Sequence, residues 1–219
     1  DPSAFVTHHF VLDEFIAAAT ATVQELYPQA STNPDYTSIV NARHFARLNG
    51  LIDDARSKGA RIIPLGEAGA GDDATPRRLV PTLVAGVTDD MAIMREEIFG
   101  PLLPIETYST PDDALARINA RPHPLALYWF GADRRHRERM LRQTLAGGVT
   151  INDWGWHVLN HDAPFGGIGN SGMGTYHGEE GFRELSHAKG TFKRFRWFPM
   201  GLFYPPYGNL VQRLVFKVY

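Results

Sequence analysis

Short apolar runs alternate with stretches whose apolar residues recur at helical spacing, and this alternation restricts the fold more than any other feature of the chain. Ala4 to Thr7 reads as a short strand. Leu12, Phe15, Ile16, Ala19, Val23 and Leu26 then fall on one helical face, which predicts an amphipathic helix over 11–26. A second helix is predicted between Ile39 and Lys58, stopped at Gly59. Strands follow at Arg61 to Leu65 and Leu79 to Val84, the latter with a proline inside that suggests a sheet edge. Leu103 to Tyr108 is the next strand. Thr110-Pro111-Asp112-Asp113 then opens a helix: a threonine to cap, a proline in the first turn, two acids at the positive end of the dipole. Leu125 to Phe130 and Gly148 to Ile151 are further strands, separated by a basic helix over 133–145, and 152–178 is a long glycine-rich loop. The expected architecture is α/β, with a central, mostly parallel sheet covered by helices on both faces.

Composition supports a globular chain and excludes several classes. Of the 219 residues, 43% are hydrophobic and 21% charged, enough apolar material for a sizeable core. The net charge of −2 gives no reason to expect nucleic acid as a partner. No apolar run reaches the length of a membrane span. The start, Asp1-Pro2-Ser3-Ala4-Phe5, is neither a signal peptide nor a translation start, so the chain is expected to be a processed or expressed piece. Cysteine is absent, which rules out disulfides and thiolate metal sites within these residues and fits a reducing compartment such as the cytoplasm.

Two segments carry chemistry. Glu96-Glu97-Ile98-Phe99-Gly100-Pro101 is either a plain loop entering a strand or a turn that presents a carboxylate and a ring together. A carboxylate accepts hydrogen bonds from ribose hydroxyls, and an aromatic face packs on a flat ring. Pro164-Phe165-Gly166-Gly167-Ile168-Gly169-Asn170-Ser171-Gly172-Met173-Gly174 formally contains the dinucleotide fingerprint, but no apolar strand precedes it and no apolar helix follows. Its glycines instead predict close backbone packing or repeated positive φ.

Taken together, these two segments resemble the aldehyde dehydrogenase superfamily. Pro124-Leu125-Ala126-Leu127-Tyr128, Gly147-Gly148-Val149-Thr150, Asn152-Asp153, Met173-Gly174-Thr175-Tyr176-His177-Gly178 and Tyr204-Pro205-Pro206-Tyr207 resemble its class 3 branch, which includes coniferyl and fatty aldehyde dehydrogenases. The resemblance implies that residues 1–190 form the family's catalytic domain without its first segment, with 191–219 an aromatic docking or oligomerisation tail. It implies NAD or NADP as cofactor, a small-molecule aldehyde as substrate and a homodimer. Glu97 matches the acid that binds the ribose next to the nicotinamide, and Phe99 the aromatic beside it. Asn152, Trp154, Trp156, His157 and Phe165 match the substrate-tunnel wall. The family's reaction uses a cysteine nucleophile, a general-base glutamate and an oxyanion-holding asparagine. None of these is expected here: the cysteine would lie just before Asp1, and the nucleotide-binding domain further upstream. The chain alone is therefore expected to oxidise no aldehyde. A non-catalytic relic or interaction domain is the alternative, and a free-standing nucleotide-binding domain a weaker third.

Other features have simpler explanations. His157, His161 and Asp162 have zinc-like spacing, but Gly155 and Pro164 argue against the helix such a site needs, so no metal is expected. His177 reads as a structural hydrogen-bonding residue. The run Arg134 to Arg139 reads as a solvated helix face.

Overall fold

Strand β4 (Leu102–Tyr108) is the spine of the larger sheet. It pairs in parallel with β1 (Phe5–His8) on one side and with β3 (Thr82–Ala85) on the other, and β2 (Arg61–Pro64) closes the order β1-β4-β3-β2 in antiparallel register with β3. The computed structural model describes residues 5–8, 11–67, 77–198, 200–215 and 217. The sequence expectation at Ala4, and residues 199, 216, 218 and 219 of the expected tail, lie outside the described residues.

Every residue of β3 is buried, as expected of an inner strand covered on both faces. Its side chains alternate between two cores. Val84 packs with Leu48, Leu51, Ile52 and Ala55 of α2 (Ala42–Ser57). Leu83 and Ala85 join Leu65 and Ile105, against which Leu12, Phe15, Ile16, Ala19 and Val23 of α1 (Leu12–Leu26) pack. Helices thus lie on both faces, giving the three layers that the periodicity predicts. The expected edge position of the Leu79–Val84 strand is corrected. Pro81 precedes the ladder rather than sitting in it, and its carbonyl accepts from the Leu65 amide at 2.8 Å, so it costs β3 no hydrogen bond.

The remaining strands, β5 (Ala126–Trp129) and β6 (Gly148–Ile151), form a separate parallel pair. A small core bridges the two sheets. Ala114 and Leu115 of α3 (Pro111–Asn119) and Met140 of α4 (Arg134–Gln143) pack with Tyr108 from β4 and Trp129 from β5. Helix α3 starts as its sequence predicts, with Thr110 and Asp113 in a reciprocal capping box and Pro111 in the first turn.

One interaction at this junction has no sequence signal. The Glu106 side chain is only 4% exposed and accepts from both terminal nitrogens of Arg121, at 2.5 and 2.9 Å, and from Arg117 at 3.2 Å. Arg121 also reaches Asp89 at 2.7 Å. A carboxylate this deep is retained because three guanidinium nitrogens replace its water.

Beyond β6 come two short helices, α5 (Trp156–Leu159) and α6 (Gly178–Glu184), and then a tail with α7 (Leu210–Val215). Many of the tail's aromatics face solvent, among them Phe192, Trp197 and Tyr207. No helix among the described residues is long and apolar enough to cross a membrane.

Candidate functional site

The 96–101 turn is built by burying one residue and exposing its neighbours. Ile98 is 6% exposed and belongs to the α2 core, while Glu96 and Glu97 face outward and Phe99 is 74% exposed. Phe99 adopts φ +43°, a left-handed conformation that a bulky residue takes up only when its surroundings hold it there. Two consecutive residues of α2 do so. The Arg47 guanidinium donates to the carbonyls of Glu97 (3.2 Å) and Ile98 (2.5 Å) and lies 3.6 Å from the Glu96 carboxylate. Leu48, wholly buried, fills the space where Gly100 would carry a Cβ: that atom would sit 2.6 Å from both Leu48 methyls. The Pro101 carbonyl then accepts from Thr82, and the β3–β4 ladder begins. The turn therefore offers an outward acid and an exposed ring at the N-terminal end of β4, an inner strand of the larger sheet. That combination suits a ribose and a flat heteroaromatic ring, so the residues present fit a nicotinamide nucleotide.

The glycine strip behaves as its composition predicts. Phe165 and Tyr176 exchange both backbone hydrogen bonds, at 2.8 and 2.9 Å, and close a loop between them. Inside it, a Cβ on Gly166 would lie 2.1 Å from the Gly174 carbonyl oxygen, and one on Gly167 would lie 2.1 Å from that of Ser171. Gly169, Gly172 and Gly174 take positive φ. Gly147, entering β6, approaches the Gly166 carbonyl equally closely. The strip is thus backbone packed on backbone, followed by no nucleotide-type helix; Gly169–Ser171 is a single 3-10 turn.

Beside it lies the 152–157 loop. Asn152, at φ +55°, caps the end of the smaller sheet: its side-chain oxygen accepts from Gly131 at 2.8 Å and its amide donates to Trp129 at 2.6 Å. Asp153 uses one oxygen for the Trp154 amide (2.8 Å) and the other for the Trp156 indole N–H (2.7 Å). Both indoles are largely exposed, Trp154 at 75% and Trp156 at 59%. His157 turns inward. Its Nδ1 bonds the Thr150 hydroxyl at 2.7 Å, and its ring covers Gly148, where a Cβ would be 2.3 Å from the imidazole. Nε2 is buried and unpartnered among the described residues, and burial lowers the pKa from the ordinary 6.5. The ring lies 5.9 Å from Tyr128 and 6.3 Å from Phe165, which stacks on His177 at 5.9 Å and meets Tyr176 edge-on at 5.4 Å.

His157 and Phe165 therefore come together in one aromatic cluster, with Trp154 and Trp156 on the solvent side of the same loop. Glu97 and Phe99 sit instead on the turn that opens onto β4 of the larger sheet. Two histidine expectations change. Gly155, at φ +71°, starts a helical turn rather than preventing one, yet His161 falls beyond its end, and no metal-holding cluster occurs among the described residues. The buried Nδ1 of His177 has no hydrogen-bond partner among the described residues, and the ring packs on Tyr176 and Phe165. Sequence reasoning missed Arg47, whose targets about fifty positions along the chain only the fold brings near; it quoted Thr150 and Asp153 within motifs but assigned neither a hydrogen bond.

Comparison with known proteins identifies the fold and family. The sequence model described as "Aldehyde dehydrogenase family" matches residues 2–191. A Pseudomonas aeruginosa protein named "Probable coniferyl aldehyde dehydrogenase" is 50% identical over 95% of this chain, which spans 43% of that relative's length. The solved substrate-bound structure of AldH from Staphylococcus aureus superposes with a TM-score of 0.83 at 40% identity, covering 100% of this chain and 46% of that one. A betaine aldehyde dehydrogenase variant from the same species, solved in complex with NAD+, gives a TM-score of 0.70 at 26% identity, covering 83% of this chain and 37% of the other. This chain thus spans less than half the length of the relatives it matches, and it belongs to the aldehyde dehydrogenase family.

Proposed function

We propose that these residues form the substrate-side part of an NAD(P)-dependent aldehyde dehydrogenase that oxidises an aromatic, coniferyl-type aldehyde to its carboxylic acid. The single observation that carries this reading is the anchored 96–101 turn, with an outward carboxylate and a 74% exposed ring held at positive φ. The cofactor, when bound, accepts the hydride removed from the aldehyde carbon. Glu97 accepts the ribose hydroxyls and Phe99 packs on the adjacent ring. Asn152, Trp154, Trp156, His157 and Phe165 line the aldehyde's path. The two indoles offer flat faces to an aromatic substrate, and neutral His157 keeps that wall uncharged. The coniferyl name of a half-identical relative and the NAD+ complex of a structural neighbour support the substrate class and the cofactor.

Replacing Glu97 by Gln in the enzyme polypeptide that contains this chain tests the reading. The expected result is a KM for NAD about tenfold higher with the aldehyde KM unchanged; an unchanged KM for NAD would refute it. A non-catalytic, fold-retaining module is the second reading. The purified 219-residue chain should give no turnover of benzaldehyde with NAD above the blank. A longer polypeptide that is equally inactive would decide for the second reading. We further propose a cytoplasmic homodimer in which 191–219 acts as a docking tail, because its exposed aromatics call for an apolar partner surface. Sedimentation of the full polypeptide as a monomer would exclude the dimer.

A further inference from the structure

We propose that Arg47 is a positioning residue for the cofactor turn, fixing the backbone of Glu97 to Phe99 and hence the direction in which that carboxylate and that ring project. This rests on the reading that the turn meets the cofactor. Residues 97–99 lie outside any helix or strand, so no ladder fixes their course. Arg47 supplies what a ladder would. Its two terminal nitrogens bind the successive carbonyls of Glu97 and Ile98, at 3.2 and 2.5 Å, which a planar fork can do and a single ammonium cannot reproduce. The guanidinium is held in turn by Glu96 at 3.6 Å. On the far side of Phe99, Leu48 excludes any Cβ at Gly100. Consecutive side chains of one helix, α2, therefore hold both ends of the residue at φ +43°. Without Arg47, Ile98 and Leu48 still anchor the core, but the carbonyls of Glu97 and Ile98 lose the two hydrogen bonds that Arg47 donates. The ring and carboxylate then spend part of their time turned away from the cofactor, and binding must restore the arrangement.

The test uses the enzyme polypeptide that contains this chain, with Arg47→Ala, Arg47→Lys, Glu97→Gln, the double variant R47A/E97Q, and Arg56→Ala as a control. Arg56 lies on the same helix and, among the described residues, its side chain pairs with exposed Asp53. R47A should raise the KM and the dissociation constant for NAD about tenfold while leaving the aldehyde KM within about twofold. R47K should fall between R47A and the unsubstituted enzyme, and R56A should change nothing. In the E97Q background the R47A factor should shrink to about threefold or less, since the group it positions is gone. A readout independent of activity is hydrogen exchange without cofactor: amides 98–100 should exchange about tenfold faster in R47A and not in R56A. Should R47A fail to fold, R47K carries the same comparison.

The proposal is overturned if R47A leaves the NAD constants within about twofold, raises both substrates' KM values alike, or keeps its full effect beside E97Q. An E97Q effect without an R47A effect overturns Arg47's role and leaves the cofactor site standing. No E97Q effect overturns both.

Discussion

Replacing Gly166 by Ala adds one methyl group where the fold has no space for it. The new Cβ would lie 2.1 Å from the Gly174 carbonyl oxygen and 3.0 Å from the Thr175 Cα, more than an ångström inside ordinary carbon–oxygen contact in the first case. Both neighbours are backbone, so no side chain can swing aside. Relief requires the two arms of the loop closed by Phe165 and Tyr176 to separate, which stretches their paired hydrogen bonds. Overpacking of this kind costs about 1–3 kcal/mol. Gly166 does not have a positive φ, so alanine meets no left-handed backbone strain there, and the less flexible unfolded chain works against the clash rather than adding to it. Gly50 is the matched control. It lies inside α2, and a Cβ there meets nothing within 4 Å. Gly50→Ala should therefore stabilise by about 0.5–1 kcal/mol through helix propensity and a less flexible unfolded chain. Urea unfolding of the 219-residue chain, followed by tryptophan fluorescence, measures both. The expected result is two shifts of the urea midpoint of opposite sign, each equal to the change in stability divided by the slope m. A G166A variant as stable as the original would refute the claim that the strip's glycines are there for contact.

Three further outcomes follow from packing and charge. Among the described residues, Arg121→Ala leaves buried Glu106 with Arg117 alone as ion partner and should cost about 2–4 kcal/mol, read by the same unfolding curves; a loss under about 0.5 kcal/mol would mean the network is dispensable. Thr110→Ala removes one half of a capping box and should cost about 1 kcal/mol, with Thr110→Ser restoring most of it. His157 should titrate below 6.5 by NMR, because burial disfavours its charged form. A His held below its unfolded pKa binds fewer protons when folded. Its share of stability is complete above 6.5 and declines as the pH falls from there through the folded value. A midpoint at or above 6.5 would contradict the burial.

Much of the fold was legible because periodicity reports burial. Val84 against Leu83 and Ala85 gives a two-sided strand, and Thr110-Pro111-Asp112-Asp113 opens the helix that those residues imply. Pro81 misled because a proline's meaning depends on its place relative to the first ladder bond, and composition does not fix that place. The division into two sheets was also illegible, since local pattern cannot say which strands pair. The glycine strip announced close packing but not its partners, Gly174 and Ser171. At the site, Glu97, Phe99 and Phe165 stood out through motif resemblance. Arg47 did not, because a guanidinium reaching residues about fifty positions along the chain leaves no spacing to read.

The central claim is that the turn carrying Glu97 and Phe99 is the cofactor platform. A crystal structure of the enzyme polypeptide containing this chain, soaked with NAD, tests it most directly. The Glu97 carboxylate should lie within about 3 Å of ribose hydroxyls, with the Phe99 ring against the neighbouring flat group. Bound dinucleotide whose nicotinamide half lies away from both residues would contradict it.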